Sequence, residues 1–170
     1  MFKNPWMIIG GLILLFFLLR RTAAAAQGVS GSIGSMMIDG VRMGAHLVAK
    51  LPGDNCVVTV NWSGTTKSAG GTLIAWNYRV SCWLLDSAGV FVAGPTTLLV
   101  AGSPGGSYNT PLNINVPNAA PSGARYGVLA KLEGADSTPS GTPGAGWVNL
   151  ADAQHLNAIQ VGGAALPSGV

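Results

Sequence analysis

The chain has 170 residues, enough for one domain of ordinary size with an anchor and some tails. Only 9% of its residues are charged, and a surface this poor in charge suits a protein packed among neighbours better than a free enzyme. The net charge of +3 owes much to three basic residues beside an apolar run near the N-terminus. The remainder is close to neutral and lacks the basic patch that nucleic-acid binding requires.

The first predicted element is a membrane anchor over residues 1–27. Every residue from 6 to 19 is apolar or Gly. A helix of that length is shorter than the hydrocarbon layer of roughly 30 Å, but its flanks can prolong it and reach outward. We therefore expect a single-pass helix in a lipid bilayer. The residues expected to form its apolar body are Trp6, Ile8, Ile9, Leu12, Leu15, Phe16 and Leu19.

Basic residues on both sides of this run bear on its processing and orientation. A cleaved secretory signal has small residues directly after its apolar run, but here Arg20 and Arg21 come between the run and AAAAQ. We expect an uncleaved anchor, with a cleaved signal or a buried helix as the alternatives. The Arg pair favours a cytoplasmic body and Lys3 opposes it with similar weight, so the bias is slight. A cytoplasmic body beside a membrane is also the geometry of a virion protein between an internal vesicle and its shell.

A flexible connector over 28–42 and a β domain over 43–150 are predicted next. A first strand is expected near 43–51. The segment CVVTVNW alternates, which is typical of a half-buried strand. Its inward residues are Cys56, Val58, Val60 and Trp62. The next strand places Trp76, Tyr78, Val80, Cys82 and Leu84 on one face. Shorter strands are expected at 90–92 and 96–100.

The second half of the domain alternates most clearly in YNTPLNINVP. Pro111 predicts an edge strand or a bulge there, because Pro cannot donate to a ladder. The inward residues expected in this strand and the next are Tyr108, Thr110, Leu112, Ile114, Val116, Ala124, Tyr126, Val128, Ala130 and Leu132. Arg125, Lys131 and Glu133 are expected outside. A last strand is expected near 147–150, and the arm over 151–170 could extend it, form a short helix or make contacts.

About seven short strands without a helical period predict a mainly β chain, with a single antiparallel immunoglobulin-like β-sandwich behind the N-terminal transmembrane helix. The segments NWSGT, LLDSAG and PSGARYGV resemble the immunoglobulin-like adhesion modules of the CARDB kind. The matching positions are Asn61 to Gly64, Asp86 to Gly89, and Pro121 to Gly123 with Tyr126 and Val128. The resemblance covers about residues 55–134 and implies the fold. It implies little about function, since such sandwiches serve as spacers, adhesins and capsid modules alike.

No arrangement of residues predicts catalysis, a cofactor or a metal site. His46 and His155 lie at opposite ends of the body, and the six carboxylates are scattered singly, mostly beside Gly or Ser. Neither a nucleophile elbow nor a phosphate loop occurs. We expect a protein that is not an enzyme.

Two features stay open on the sequence alone. Cys56 and Cys82 both fall on inward faces, where a disulfide across the core and two buried thiols are equally compatible. Export would favour the bond and a cytoplasmic face the thiols. Trp83 and Leu85 fall on the face opposite Cys82 and predict a contact surface. Cover by a loop or by the C-terminal arm is the alternative.

These expectations favour a non-enzymatic, membrane-anchored structural protein. The first hypothesis is a minor capsid protein that tethers a protein shell to the internal membrane of a virion. Its expected partners are the lipid bilayer and other structural proteins of the same assembly, in an oligomeric arrangement without nucleic acid. The alternative is a pilus or filament subunit or a cell-surface adhesin, and a third class is an exported carbohydrate-binding domain.

Overall fold

The computed structural model describes residues 30–65, 76–102, 106–136 and 146–162. These residues form nine strands, which confirms the mainly β class. The strands are β1 Ser30–Ile38, β2 Val41–Arg42, β3 Val48–Lys50, β4 Asn55–Thr65, β5 Trp76–Leu85, β6 Phe91–Gly102, β7 Ser107–Asn115, β8 Arg125–Asp136 and β9 Val148–Val161. None of the described residues lies in a helix long and apolar enough to cross a membrane. The predicted anchor over 1–27 and its flanking Lys3, Arg20 and Arg21 lie outside the described residues.

The strands form two sheets that pack face to face. The first has the order β2-β1-β4-β7 and the second the order β3-β9-β8-β5-β6. Neighbouring strands are antiparallel except for β3 and β9, which are parallel. The expectation of a wholly antiparallel sandwich is therefore wrong at this pair. After β2, at the edge of the first sheet, the chain crosses to the second sheet, where β3 lies beside β9. The two strands are far apart in the sequence and no hairpin joins them, which permits parallel pairing.

The core lies between the sheets at the positions that alternation predicts. The inward residues of four strands are at most 3% exposed: Cys56, Val58, Val60, Trp62, Tyr78, Val80, Cys82, Leu84, Leu112, Ile114, Val128, Ala130 and Leu132. The Trp62 ring lies 4.8 Å from the Tyr78 ring and 4.6 Å from the Tyr108 ring. Its Nε1 donates to Thr110 Oγ1 at 2.8 Å, so this buried indole is hydrogen-bonded.

The domain begins before the predicted boundary. The connector expected over 28–42 is wrong from Ser30 onward, because β1 pairs with β4 along its whole length and β2 follows at 41–42. The Gly and Ser content suggested a linker, but Gly31 serves packing. A Cβ at Gly31 would lie 2.8 Å from Leu132 Cδ2 and 3.0 Å from Leu150 Cδ1, so a side chain at this position would displace both leucines, and Gly permits the close approach between the sheets.

The domain also ends later than predicted, and one central strand is longer. Of the alternatives for the arm over 151–170, the described part extends the last strand, since β9 continues to Val161. Its register with β8 shifts between Tyr126 and Val128, which interrupts the alternation in the sequence. Strand β6 is continuous where two short strands were expected. Pro111 lies in β7, an edge strand of the first sheet, as predicted.

Candidate interaction surface

The predicted contact pair of Trp83 and Leu85 is only half at the surface. Leu85 is 3% exposed, so its assignment to the outer face is wrong. The register of β5 with β6 shifts on both sides of Leu84, so alternation fails there and both leucines are buried. Trp83 stays half-buried, with its ring centroid 5.9 Å from that of Phe91. Because the Trp83 ring lies beside Phe91, the exposed apolar surface next to Trp83 belongs to β6.

Strand β6 carries the exposed apolar side chains that sequence reasoning missed. Phe91 is 59% exposed, Leu98 43% and Leu99 60%, and Val90 and Val92 beside them are also exposed. In the described part of the chain β6 pairs with β5 alone, because it is the last strand of its sheet. Its other side therefore presents backbone donors and acceptors next to apolar side chains.

This apolar strand belongs to a flank of the sandwich that carries no charge. Strands β6 and β7 are the ends of their sheets and lie against each other, and Thr96 Oγ1 donates to Asn113 O at 2.7 Å. No Asp, Glu, Lys, Arg or His occurs from residue 87 to residue 124. We call the described residues 91–102 and 106–115, which comprise β6 and β7, the charge-free flank. The absence of charge over this run is the sequence signal that could have located the surface.

The outer face of the first sheet next to this flank is polar but largely uncharged. Its side chains pair with one another across the strands. The pairs are Ser32 with Ser63 at 2.9 Å, Asn61 with Asn109 at 2.8 Å and Asn55 with Asn113 at 3.0 Å. Neutral groups that already bond to one another lose less on burial than free charges do. The cost of desolvating this face against another protein is therefore low.

The opposite flank, which we call the charged flank, comprises residues 39–54 with β2 and β3. Lys50 Nζ lies 2.7 Å from Asp39 Oδ2 and donates to Asn55 O at 2.9 Å. Asp39 Oδ1 accepts from Val57 N at 3.0 Å. Burial lowers the pKa of Lys50, but the hydrogen bond to Asp39 and the charges of Asp39 and Asp54 outweigh it, so the pKa is raised. Charges here hold the turns of the domain itself.

A second charge network lies on the outer face of the second sheet. Arg79 Nε and Nη2 both contact Glu133 Oε2 at 2.7 Å, and Lys131 Nζ lies 3.6 Å from Glu133 Oε1. The Arg79 guanidinium also lies 4.6 Å from the centre of the Trp147 ring. Glu133, expected outside, is therefore buried under its partners. The Glu133 carboxylate contacts the cations of both Arg79 and Lys131, so this network stabilises the sheet.

Cys56 and Cys82 are free and buried in the structure, so the thiol alternative is the one observed. They lie in opposite sheets, on β4 and β5. Burial raises the pKa of Cys82 to about 12. Burial also raises the pKa of Cys56 to about 11, although Lys50 lowers it. Neither thiol is exposed as a nucleophile.

The described residues do not assemble a metal site: no group of three or more His, Cys, Asp or Glu side chains in them lies close enough together to hold an ion. His46 is exposed on the charged flank and His155 is half-buried on β9.

Comparison with known proteins gives a distant structural likeness. No protein-family model matches the chain, and no curated protein matches it. Among solved structures, it is similar to the crystal structure of Spo0M, a sporulation control protein from Bacillus subtilis, with a TM-score of 0.37 and 14% identity. The match covers 75% of this chain and 50% of that one, so this chain spans about half the length of Spo0M. A likeness this distant carries no functional inference.

Proposed function

We propose that the protein is a non-enzymatic structural protein whose sandwich makes protein–protein contacts while residues 1–27 anchor it in a membrane. The observation that carries the proposal is the charge-free flank, with Phe91, Leu98 and Leu99 exposed on an edge strand. Proteins that stay monomeric usually protect such an edge with charges, Pro or short strands. Exposed apolar patches mark interaction sites.

The order of the strands supports an immunoglobulin-like module for this body. The order β9-β8-β5-β6 corresponds to strands G-F-C-C′ of such domains, and β1-β4-β7 corresponds to A-B-E. Modules of this kind act as spacers and contact domains, so the fold is compatible with a structural role without defining one.

The start of the sandwich supports a tether that holds its body close to the bilayer. Strand β1 begins at Ser30, and the proposed anchor ends at residue 27. An extended chain spans at most about 3.5 Å per residue, so the width of the domain, not a flexible linker, sets the reach from the lipid. We place the protein in a virion, as a minor capsid protein that links a protein shell to an internal membrane.

The anchor is tested by reconstituting the full chain into lipid vesicles and floating them on a density gradient. Wild type is expected to float and to resist alkaline extraction. A variant with Leu12→Asp and Leu15→Asp is expected to stay at the bottom, because a charge at the bilayer centre costs about 3 kcal/mol or more. The matched control places the same charges on the sandwich, with Leu51→Asp and Leu156→Asp, and should float. Extraction of the wild type at alkaline pH would contradict the proposal.

The second candidate is a filament subunit or surface adhesin, and the same edge strand favours it because strand pairing can propagate along a fibre. Detergent separates the two functions. A membrane tether is released as a small particle of protein and detergent, whereas a fibre stays polymerised and is seen by electron microscopy. The cost of burying Arg20 and Arg21 in a fibre core places this candidate second.

A further inference from the structure

We propose that two copies of this chain pair through β6, edge to edge and antiparallel, so that their second sheets join into one continuous sheet. The inference rests on the proposed function in one respect, that the charge-free flank is a contact surface. It names the partner of that surface as a second copy. It does not depend on the membrane or on the virion.

The backbone of β6 shows what kind of partner fits. This strand has 12 residues and, among the described residues, pairs on one side only. An edge of alternating donors and acceptors is complementary to another extended strand rather than to a helix or a small ligand. The partner is therefore a β-strand.

The segment that can pair is the second half of β6. Pro95 has no N–H to donate, and the register with β5 is irregular on the far side of it, where Leu84 lies opposite Ala93. From Thr96 opposite Cys82 to Gly102 opposite Trp76 the register with β5 is unbroken. The residues from 96 to 102 thus form a regular edge of ordinary strand length.

Charge indicates that the partner strand belongs to a second copy. The run from 87 to 124 carries no charge, so two such flanks meet without repulsion, while a charged partner finds no opposite charge there. Arg79, which lies beside Leu99 on β5, is already paired with Glu133. Antiparallel self-pairing is isologous and closes as a two-fold dimer.

The other three strands that end the sheets are less suited to self-pairing. Strands β2 and β3 carry Arg42 and Lys50, which a second copy would bring against their own equivalents. On β7, Pro111 lacks a donor and the carbonyl of Asn113 is taken by Thr96. Among the four strands that end the sheets, β6 is therefore the one at which a second copy fits.

The experiment compares two matched lysine variants of the full chain in detergent. Leu99 is 60% exposed on β6 and Leu51 is 61% exposed on the charged flank, so Leu99→Lys and Leu51→Lys make the same change at equal exposure. Light scattering after size-exclusion chromatography is expected to show dimers for wild type and Leu51→Lys. For Leu99→Lys we expect dimerisation weakened at least about tenfold, because two like charges meet across the pair.

A second variant and a backbone readout separate strand pairing from other effects. Leu99→Glu is expected to weaken the dimer as well, and an equal mixture of the Leu99→Lys and Leu99→Glu proteins is expected to recover it through opposite charges. Amide exchange from 96 to 102 should slow at alternate residues as protein concentration rises. Circular dichroism confirms that each variant is folded.

Two results would overturn the inference. A dimer that persists in both β6 variants assigns self-association to another surface, such as the anchor. A wild type that stays monomeric at every concentration excludes self-pairing, and if the same protein still floats with vesicles, the anchored function stands while this inference fails.

Discussion

The two flanks of the sandwich end their sheets in opposite ways. On the charged flank the edge strands are short, with two residues in β2 and three in β3, and Arg42 and Lys50 lie on them. On the charge-free flank β6 has 12 residues and β7 has nine, without a single charge. Short, charged edges resist pairing with other chains, and long, uncharged ones invite it. The two flanks therefore differ in how readily another strand could pair with them.

The flanks also differ in what attaches them to the body. Lys50 and Asp39 tie the charged flank to β4 through an ion pair and hydrogen bonds at its rim. The charge-free flank is attached from inside, where Tyr108 and Thr110 of β7 contact the buried Trp62 of β4. Because buried packing contributes more than half-exposed ion pairs, the charge-free flank should be the more firmly held.

The largest expected effect comes from removing that inner attachment. Trp62→Ala should lower the free energy of unfolding by about 3–5 kcal/mol, because it leaves a cavity and removes the partner of the Thr110 hydroxyl. Urea denaturation measures the loss. Trp83→Ala on the outer face is the control and should cost clearly less, since Trp83 is half-buried. Equal losses for the two variants would contradict the assignment of the attachment to the core.

The second effect is a loss of stability at alkaline pH, through the thiols on the strands next to the charge-free edges. In the folded chain the pKa of Cys56 is about 11 and that of Cys82 about 12, above the ordinary value of 9.0. Both thiols stay protonated in the fold while the unfolded chain ionises, so this stability is full below pH 9.0 and is lost as the pH rises through about 11 and about 12. The slope is at most about 1.4 kcal/mol per pH unit for each thiol.

Urea denaturation between about pH 8 and about pH 10 measures this loss. In a control variant with Cys56→Ala and Cys82→Ala, the free energy of unfolding should change less over the same pH range. Alkylation is the companion measurement: neither thiol should react in the native chain, and both should react after unfolding without reductant. Reaction of Cys82 alone in the native protein would show that β6 opens locally, which would reverse the ranking of the two flanks.

A smaller effect is expected on the charged flank. Asp39→Ala removes the acceptor of the Val57 amide and the partner of Lys50, at a cost of about 2 kcal/mol. Asp39→Asn keeps the acceptor and tolerates the φ of 49° at this position, so it should cost about 1 kcal/mol or less. Added salt should reduce the difference in unfolding free energy between wild type and Asp39→Asn. A difference that salt leaves unchanged would speak against an ion pair.

The ion pair also has a pH dependence of definite sign. Because the pKa of Lys50 is raised above 10.5 in the fold, its contribution is fully present below that value. It is lost as the pH rises through the raised pKa. In the Asp39→Asn variant, the loss of stability that comes from deprotonation of Lys50 at high pH should be smaller. Thermal unfolding at several pH values measures the difference.

The smallest effect concerns the contact between the two charge-free edges. Thr96→Val keeps the shape of the side chain and removes the hydroxyl that donates to Asn113 O, so we expect a loss of about 1 kcal/mol. Thr59→Val on the outer face of β4 is the matched control and should change stability by less than about 0.5 kcal/mol. A neutral Thr96→Val would mean that β6 and β7 are held only through their neighbours.

Alternation made four strands predictable from the sequence. Strands β4, β5, β7 and β8 each turn one face to the core, so their inward apolar residues recur at every second position. The same rule fails where the strand itself is irregular. At Leu84 and Leu85 the shifts in register bury two consecutive residues. In β9 the register shifts opposite Gly127, so the segment ADAQHLNAIQV does not show the alternation by which a strand is predicted.

By itself the sequence determined the β class, the inward faces of the regular strands and the low charge, because these depend on local periodicity and composition. Only the tertiary structure decided which strands end the sheets, and therefore that Leu99 is exposed while Leu85 is buried. It also showed that Gly31 packs between the sheets instead of loosening a connector. The physical reason is that edge positions and close approaches arise from pairing between segments far apart in the chain, which no local pattern encodes.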